Sequence, residues 1–167
     1  ESVSLRAQLE DGSEICGETA IVQAGKRIRR IYLEPANVGP SQAALDAIHE
    51  ADLICIGPGS VYTSVIPNLL VPEIAEAIRL SNAPKVYICN VMTQPGESDS
   101  FSASEHVSTI LSNTDRKAFD HVLVNTVIPN ESLLGRYREV GQHFVEADID
   151  RMRMMGMKIL QGNFMSE

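Results

Sequence analysis

Residues 51–97 read ADLICIGPGSVYTSVIPNLLVPEIAEAIRLSNAPKVYICNVMTQPGE, and this stretch decides the fold. Two short apolar runs, residues 53–56 and 86–89, each stop at a loop of small polar residues. Apolar residues recur at helical spacing in the segment between them, and Pro72 suits the first position of that helix. Two buried strands joined by a helix are typical of a βαβ unit with parallel strands.

The loops that follow these two strands are predicted to form one site. We call residues 57–64 the first loop and residues 90–97 the second loop. Ligands of open α/β sheets bind just outside the carboxyl ends of the strands. Because both loops begin at such a strand end, we predict that they are two walls of the same ligand site.

The first loop has a composition that suits an anion. Gly57 and Gly59 permit close approach of the backbone, while Ser60 and Thr63 supply hydroxyl donors. The P-loop, dinucleotide-binding and hydrolase-elbow motifs are absent, because their residues do not occur at the required spacing. A tight strand-to-helix turn that needs glycine for its geometry is the alternative interpretation.

The second loop presents amide, hydroxyl and carboxylate groups from Asn90, Thr93, Gln94 and Glu97. Amide side chains both donate and accept hydrogen bonds, which suits the edge of a nucleobase or the hydroxyl groups of a sugar. The alternative is that Asn90 and Thr93 cap the local backbone and contact no ligand.

A helix is predicted to begin at the capping box formed by Ser102 and Glu105. Its N-terminus lies close to the second loop in sequence, and its free N–H groups could attract a phosphate. Equally, Ser102 and Glu105 could satisfy those groups themselves. His106 falls at the fourth helical position with Phe101 just before the cap, which favours a packing role for the histidine.

The remaining sequence predicts strands and helices on either side of the βαβ unit. Alternating residues and the Asp11-Gly12 turn predict a β-rich start over residues 3–33, with Ile21 and Val22 in a strand. Further strands are predicted at residues 121–124, 144–147 and 158–160, and helices at residues 41–51, 72–81, 131–140 and 149–155. The pattern predicts an α/β fold with an at least partly parallel sheet and an attached N-terminal hairpin or meander.

Composition excludes several classes of protein. The chain has 167 residues, a length typical of one domain, and its formal net charge is −8. An acidic chain is a poor nucleic-acid binder, since that binding depends on many Lys and Arg contacts. Backbone N–H groups could still hold a small phosphate ligand. No apolar run approaches the ~18 residues of a membrane-spanning helix, so we expect no membrane span.

Three cysteines, Cys16, Cys55 and Cys89, are far apart in the sequence. An odd number without close spacing predicts buried, reduced thiols in a reducing compartment. The histidines and cysteines do not form a spaced metal motif, so we predict no metal site. No nucleophile paired with a general base is evident, and the catalytic residues of any activity stay unassigned.

The quoted motifs resemble those of the YvcK/CofD-like family, and more closely its YvcK branch of gluconeogenesis factors. The resemblance is carried by ADLICIGPGSVYTSVIPNLLV at residues 51–71, KVYICNVMTQPGES at residues 85–98 and SEHV at residues 104–107. The segments LEDGSEICGET and IRRIYLEP, at residues 9–19 and 28–35, also match. It covers most of the chain, from about residue 3 to about residue 145.

The resemblance implies a Rossmann-like fold whose mostly parallel sheet has helices on both faces. It implies a cytoplasmic regulator that binds a UDP-sugar such as UDP-N-acetylglucosamine and is linked to gluconeogenic growth, cell shape and wall synthesis. The CofD branch implies an alternative, a 2-phospho-L-lactate transferase that uses Mg²⁺ and a guanosine-diphosphate donor to modify a deazaflavin. Near the loops, Glu97 and Asp99 are the acids available to such a metal. A third hypothesis is a module that acts through protein partners. A homo-oligomer is a further prediction.

The resemblance also implies a set of ligand-binding residues. Motif positions of the family match Gly57, Gly59, Ser60, Thr63, Asn90, Thr93 and Gln94, and we assign Glu97 of the second loop to the ligand together with them. Phe101 stands where relatives commonly have Tyr, so a hydroxyl contact is lost there, and Arg136 lies in a segment that resembles the family's Arg-Tyr segment. Relatives begin with a Gly-rich strand–loop–helix unit that nothing here matches. We therefore expect residues 1–167 to be a single α/β domain, the C-terminal portion of a longer protein.

Overall fold

A computed structural model describes residues 3–114 and 118–165. It contains two sheets. The antiparallel sheet has the order β2-β1-β3 and consists of β1 (Ser4–Leu9), β2 (Glu14–Cys16) and β3 (Ile28–Glu34). The parallel sheet has the order β4-β5-β6-β7 and consists of β4 (Ile54–Ile56), β5 (Lys85–Ile88), β6 (His121–Asn125) and β7 (Lys158–Gly162). The predicted α/β fold with a parallel sheet and an N-terminal meander is confirmed.

Seven α-helices flank the sheets in the part of the chain that the structure describes. They are α1 (Glu18–Gln23), α2 (Gln42–Glu50), α3 (Ile66–Leu69), α4 (Pro72–Leu80), α5 (Ala103–Asn113), α6 (Glu131–Glu139) and α7 (Ile149–Met154). A π-helical segment, Val61–Val65, leads from the first loop into α3. None of these helices is long and apolar enough to cross a membrane.

The core lies against one face of the parallel sheet. Ile56, Tyr87 and Val122 occupy the same level on β4, β5 and β6 and are buried there. Val107 and Ile110 of α5 are fully buried in the same core. Burying one such aliphatic side chain contributes about 1.5–3 kcal/mol, so this layer stabilises the parallel sheet whose strands lead into the two loops.

Two local predictions are wrong. Ile21 and Val22 lie in α1 and not in a strand, since a single helical segment places the fully buried Ile21 against the core. Residues 144–147 form no strand, apart from an isolated bridge between Met92 and Phe144. The backbone of residues 145 and 146 bonds to two separate segments, through Val145 N to Val91 O and Ala103 N to Glu146 O.

The expectation of three buried thiols is also wrong. Cys16 and Cys55 are exposed, because β2 and β4 are edge strands of their sheets and each cysteine lies on an outward-facing position. Cys89 is buried, and burial raises the pKa of its thiol to about 12. A thiol with that pKa is almost entirely protonated at neutral pH and is a poor nucleophile.

Helix α1 meets the second loop at Gly96. This residue has a φ of 82°, and a Cβ there would overlap the carbonyl oxygen of Val22 at the end of α1. Glycine is therefore required twice over, for the left-handed backbone and for the close approach of α1.

We expect Gly96→Ala to lower the free energy of unfolding by at least about 2 kcal/mol, since it adds both strain and overlap. Gly135→Ala is the matched control, because Gly135 lies inside α6 and a Cβ there meets nothing within 4 Å. Alanine at that position should raise stability by up to about 1 kcal/mol. Urea unfolding followed by circular dichroism measures both changes, and equal effects of the two substitutions would contradict the contact at Gly96.

Candidate functional site

The first loop begins in close contact with the end of the neighbouring strand, β5. Gly57 has a φ of 80°, and a Cβ there would lie 3.1 Å from the carbonyl oxygen of Ile88 and 3.5 Å from the ring of Tyr87. The chain therefore turns off β4 with its backbone against the neighbouring strand. As predicted from the sequence, glycine permits a close backbone approach here, and the approach is to the protein's own β5.

The two loops are joined by a pair of amide hydrogen bonds. Gly59 N donates to Asn90 Oδ1 at 3.2 Å, and Asn90 Nδ2 donates to Gly59 O at 2.9 Å. The side chain of Asn90 thus pairs with the backbone of Gly59 in the manner of a neighbouring strand. Both ends of the Asn90 amide are engaged, so its main role in this structure is to hold the first loop in place.

A second contact joins the loops one residue further along. Ser60 Oγ donates to Gln94 Oε1 at 2.8 Å. Within residues 3–114 and 118–165, Gln94 Nε2 has no hydrogen-bond partner, so this half of the amide is free to donate. Ser60 and Gln94 are both partly accessible, and they are the polar side chains of the predicted set that are best able to meet a ligand.

The strongest connection between the loops is the carboxylate of Glu97, which is 6% exposed. Glu97 Oε2 accepts a hydrogen bond from Tyr62 N at 3.0 Å, and Oε1 accepts one from Thr63 Oγ1 at 2.5 Å. The carboxylate therefore lies at the N-terminus of Val61–Val65, where a negative charge complements the free N–H groups. Both oxygens of Glu97 are therefore engaged in hydrogen bonds within the protein.

Thr93 connects the second loop to a third segment. Thr93 N donates to His143 O at 2.7 Å, and His143 N donates to Thr93 Oγ1 at 2.9 Å. Thr93 is buried, and its hydroxyl oxygen is already an acceptor. The pairing with His143 was not evident from the sequence, because the two residues are 50 positions apart and no motif connects them.

Phe101 lines one pocket with Tyr62, Gly96 and Glu97 of the two loops, whereas Arg136 lies on α6. The ring of Phe101 is half-buried and meets the imidazole of His106 edge-on at a centroid distance of 5.5 Å. Arg136 is exposed on α6, and within the described parts of the chain no hydrogen bond or ion pair connects it to either loop. Their assignment to a ligand stays a prediction.

The N-terminus of α5 is satisfied by the protein itself. The capping box of Ser102 and Glu105 is present, as predicted. Asp148 completes it, since Ser104 N donates to Asp148 Oδ1 at 2.8 Å and Ser102 Oγ donates to Asp148 Oδ2 at 2.9 Å. Burial disfavours the charge on Asp148, but the hydrogen bonds from Ser104 and Ser102 outweigh it and lower the pKa. The sequence left two interpretations of this helix N-terminus, a phosphate site or capping by the protein's own side chains. The structure supports the second.

His106 is a packing residue, as its sequence position indicates. It is fully buried, its Nδ1 lies 2.8 Å from Ser102 O, and its Nε2 has no hydrogen-bond partner. Burial lowers the pKa of the imidazole below 6.5, so the ring is neutral at physiological pH. Nδ1 then carries the proton and donates to the carbonyl oxygen of Ser102.

A divalent cation does not fit the acids beside the loops. Both oxygens of Glu97 accept hydrogen bonds, and Asp99 Oδ2 accepts one from Gly96 N at 2.8 Å. Across the residues that the structure describes, no three His, Cys, Asp or Glu side chains are grouped so that they could hold a metal ion. The acids of the two loops in this chain are therefore unsuited to holding Mg²⁺.

Comparison with known proteins gives consistent matches along the chain. The family model described as 2-phospho-L-lactate transferase CofD matches residues 1–165. The gluconeogenesis factor of Bacillus subtilis is 42% identical over 160 residues, which are 96% of this chain and 50% of that protein. The gluconeogenesis factor of Listeria monocytogenes is 45% identical over 163 residues, which are 97% of this chain and 49% of that protein.

A solved structure shares the fold closely. The crystal structure of a UPF0052 family member from Bacillus halodurans has a TM-score of 0.96 and 41% identity, and the match covers 100% of this chain and 54% of that chain. In each of these comparisons the chain spans about half the length of the relative.

We expect Glu97→Gln to lower the free energy of unfolding by about 1–3 kcal/mol, because an amide offers one acceptor oxygen to two buried donors. Asp99→Asn is the matched control, since Asp99 is exposed and an asparagine oxygen can still accept from Gly96 N. The control should change stability by less than about 0.5 kcal/mol. Denaturant unfolding measures the free energy of unfolding of both variants. An unchanged value for Glu97→Gln would show that the buried carboxylate is not needed for stability.

Stability should also depend on the protonation of His106. Its folded-state pKa is lowered, so the unfolded chain binds the proton first and stability falls as the pH drops below about 6.5. The free energy of unfolding, measured between about pH 7.5 and about pH 5.5, should therefore decline on acidification. In His106→Leu the decline should be smaller, and identical pH dependence in both proteins would contradict this assignment.

Proposed function

The chain belongs to the CofD family, and we propose that it is part of a regulatory protein that binds a nucleoside-diphosphate sugar and has a role linked to gluconeogenesis. The link to gluconeogenesis is supported by relatives at 42% and 45% identity that carry the name gluconeogenesis factor. The chain spans about half of those proteins, so the activity proposed is that of the full-length protein.

The feature that carries the proposed ligand site is the rigid backbone of residues 57–60 at the carboxyl end of β4. The first loop is hydrogen-bonded to the side chains of Asn90, Gln94 and Glu97, so its groups are ordered before a ligand binds. A pre-ordered loop loses little conformational entropy on binding, which favours affinity. Gln94 Nε2, which has no partner among the residues that the structure describes, adds a donor beside Ser60, as a diphosphate or a sugar hydroxyl requires.

Binding without turnover is favoured by the state of the reactive groups near the loops. The carboxylate of Glu97 is engaged by two hydrogen bonds, the thiol of Cys89 has a pKa of about 12, and the imidazole of His106 is buried. All three are buried, so none is accessible to a substrate as a nucleophile or a general base must be, and the Cys89 thiol is protonated as well.

The finer identity of the ligand and of the pathway comes from the family resemblance. We take UDP-N-acetylglucosamine as the first ligand to test, and we propose a cytoplasmic protein whose sugar nucleotide couples carbon supply to cell shape and wall synthesis. Mixed amide and hydroxyl groups at the loops suit a sugar nucleotide of this kind.

Isothermal titration calorimetry on the full-length protein tests the proposal. UDP-N-acetylglucosamine should bind, and Ser60→Ala or Gln94→Ala should weaken binding by roughly tenfold, the value of one good hydrogen bond. Ser108→Ala is the control, since Ser108 is exposed on α5 and bonds within its own helix to Glu105 O. It should leave the affinity unchanged. No heat of binding with any UDP-sugar would refute the proposal.

The second candidate is a CofD-like transferase, and one observation favours it: the family model that matches residues 1–165 is that of 2-phospho-L-lactate transferase. Full-length protein incubated with a deazaflavin acceptor, Mg²⁺ and an activated lactyl donor decides between the candidates. Formation of the phospholactyl deazaflavin would overturn the binding-only proposal. Absence of product, with UDP-sugar binding intact, would exclude the transferase.

A further inference from the structure

A basic stretch at the start of β3 lies outside the proposed sugar-nucleotide site. Residues 26–30 are Lys-Arg-Ile-Arg-Arg in a chain whose formal net charge is −8, and Arg27, Arg29 and Arg30 are exposed. Lys26 forms an ion pair with Asp11, whereas none of the three arginines has an ion-pair partner within residues 3–114 and 118–165. Their guanidinium groups are therefore available to an anion from outside.

A β-bulge brings Arg29 and Arg30 to the same pocket. Gln8 of β1 pairs with Arg30 and the next residue, Leu9, pairs with Ile28, so Arg29 is an extra residue without a partner on β1. Consecutive side chains of a regular strand point to opposite faces, and a bulge changes that direction. Both arginines accordingly line one surface pocket of about 490 Å³.

The other residues that line this pocket are polar and uncharged: Gln8, Ser112, Asn113 and Thr114. The last three lie at the C-terminal end of α5, where free carbonyl groups would repel an anion. Those carbonyl groups are engaged by side chains. Asn113 Nδ2 donates to Thr109 O at 2.9 Å, and Thr114 Oγ1 donates to Ile110 O at 2.7 Å. The positive charge of the two arginines therefore dominates the pocket.

A second pocket of about 420 Å³ adjoins the first and shares Gln8, Arg30 and Asn113 with it. Most of its remaining lining is apolar or aromatic, from Ile31, Tyr32, Leu33, Ala36 and Leu70. Glu14 also lines it, but this acid lies on β2, on the far side of β1, and forms no ion pair with Arg30. A basic pocket beside a largely apolar one suits an anion that is attached to an organic group, and both volumes are typical of small-molecule sites.

We propose that Arg29 and Arg30 bind the phosphate group of a small phosphorylated organic molecule, whose organic part lies in the adjoining pocket. A phosphate monoester carries nearly two negative charges at neutral pH, which two guanidinium groups match in charge and in paired N–H donors. The side-chain amide of Gln8 adds a further donor. No residue of the first or second loop lines either pocket, so the inference does not depend on the proposed function.

Isothermal titration calorimetry of the full-length protein with phenyl phosphate tests this site, because the probe has a phosphate group and an aromatic body. Arg29→Ala and Arg30→Ala should each weaken binding about tenfold or more, the effect of losing a charge-assisted hydrogen bond. Arg27→Ala is the matched control. It removes the same charge from the same stretch, but Arg27 lines a different pocket, beside Gly96 and Phe101. The control should leave the affinity for phenyl phosphate unchanged.

The outcomes separate the proposal from its alternatives. Selective loss of binding in the Arg29 and Arg30 variants supports it. Absence of binding, or an equal loss in Arg27→Ala, would overturn it, the second by showing diffuse charge attraction. Inorganic phosphate should bind more weakly than phenyl phosphate, and equal affinities would overturn the assignment of an organic ligand. Displacement of phenyl phosphate by UDP-N-acetylglucosamine would place the probe at the two loops and also overturn it. Titration of the same variants with UDP-N-acetylglucosamine keeps a failure here separate from a failure of the proposed function.

Discussion

The buried carboxylate of Glu97 is the interaction on which the rest of the site depends. Its two oxygens accept hydrogen bonds from Tyr62 N and Thr63 Oγ1, so one side chain from the second loop fixes the start of the helical segment that begins within the first loop. A buried carboxylate is stable only when its oxygens are hydrogen-bonded, so this arrangement requires both donors. Gly96, directly before it, is in close contact with Val22 of α1. Two neighbouring residues of the second loop thus contact both α1 and the first loop.

The contacts between the two loops change the expected position of a ligand. From the sequence they are two walls with a ligand between them. In the structure they meet through Gly59 with Asn90, Ser60 with Gln94 and Tyr62 with Glu97. Side chains that the family resemblance assigns to a ligand are therefore also the ones that hold the first loop rigid. A ligand would meet the accessible side of that loop, with Ser60 and Gln94 as its nearest polar partners.

Local features were predictable wherever the cause lies within a few residues. The capping box at Ser102, the helix start at Pro72 and the turn at residues 11–12 depend on neighbouring side chains, and all three are present. Prediction was wrong for Ile21 and for residues 144–147, because contacts with distant segments decide their backbone conformation. The exposed Cys55 belongs to the same group, since an apolar run does not reveal whether its strand lies at an edge.

The sequence by itself determined the α/β class, the βαβ unit of residues 53–89 and the two glycine-containing loops at strand ends, because periodicity, capping and backbone freedom are local properties. It also placed the chain in its family through long contiguous motifs. The tertiary structure alone decided that Asn90 and Glu97 face the first loop, that Thr93 pairs with His143, and that Asp148 caps α5. Those partners are 31 to 50 residues apart, and only the packing of the sheet core brings them within hydrogen-bonding distance.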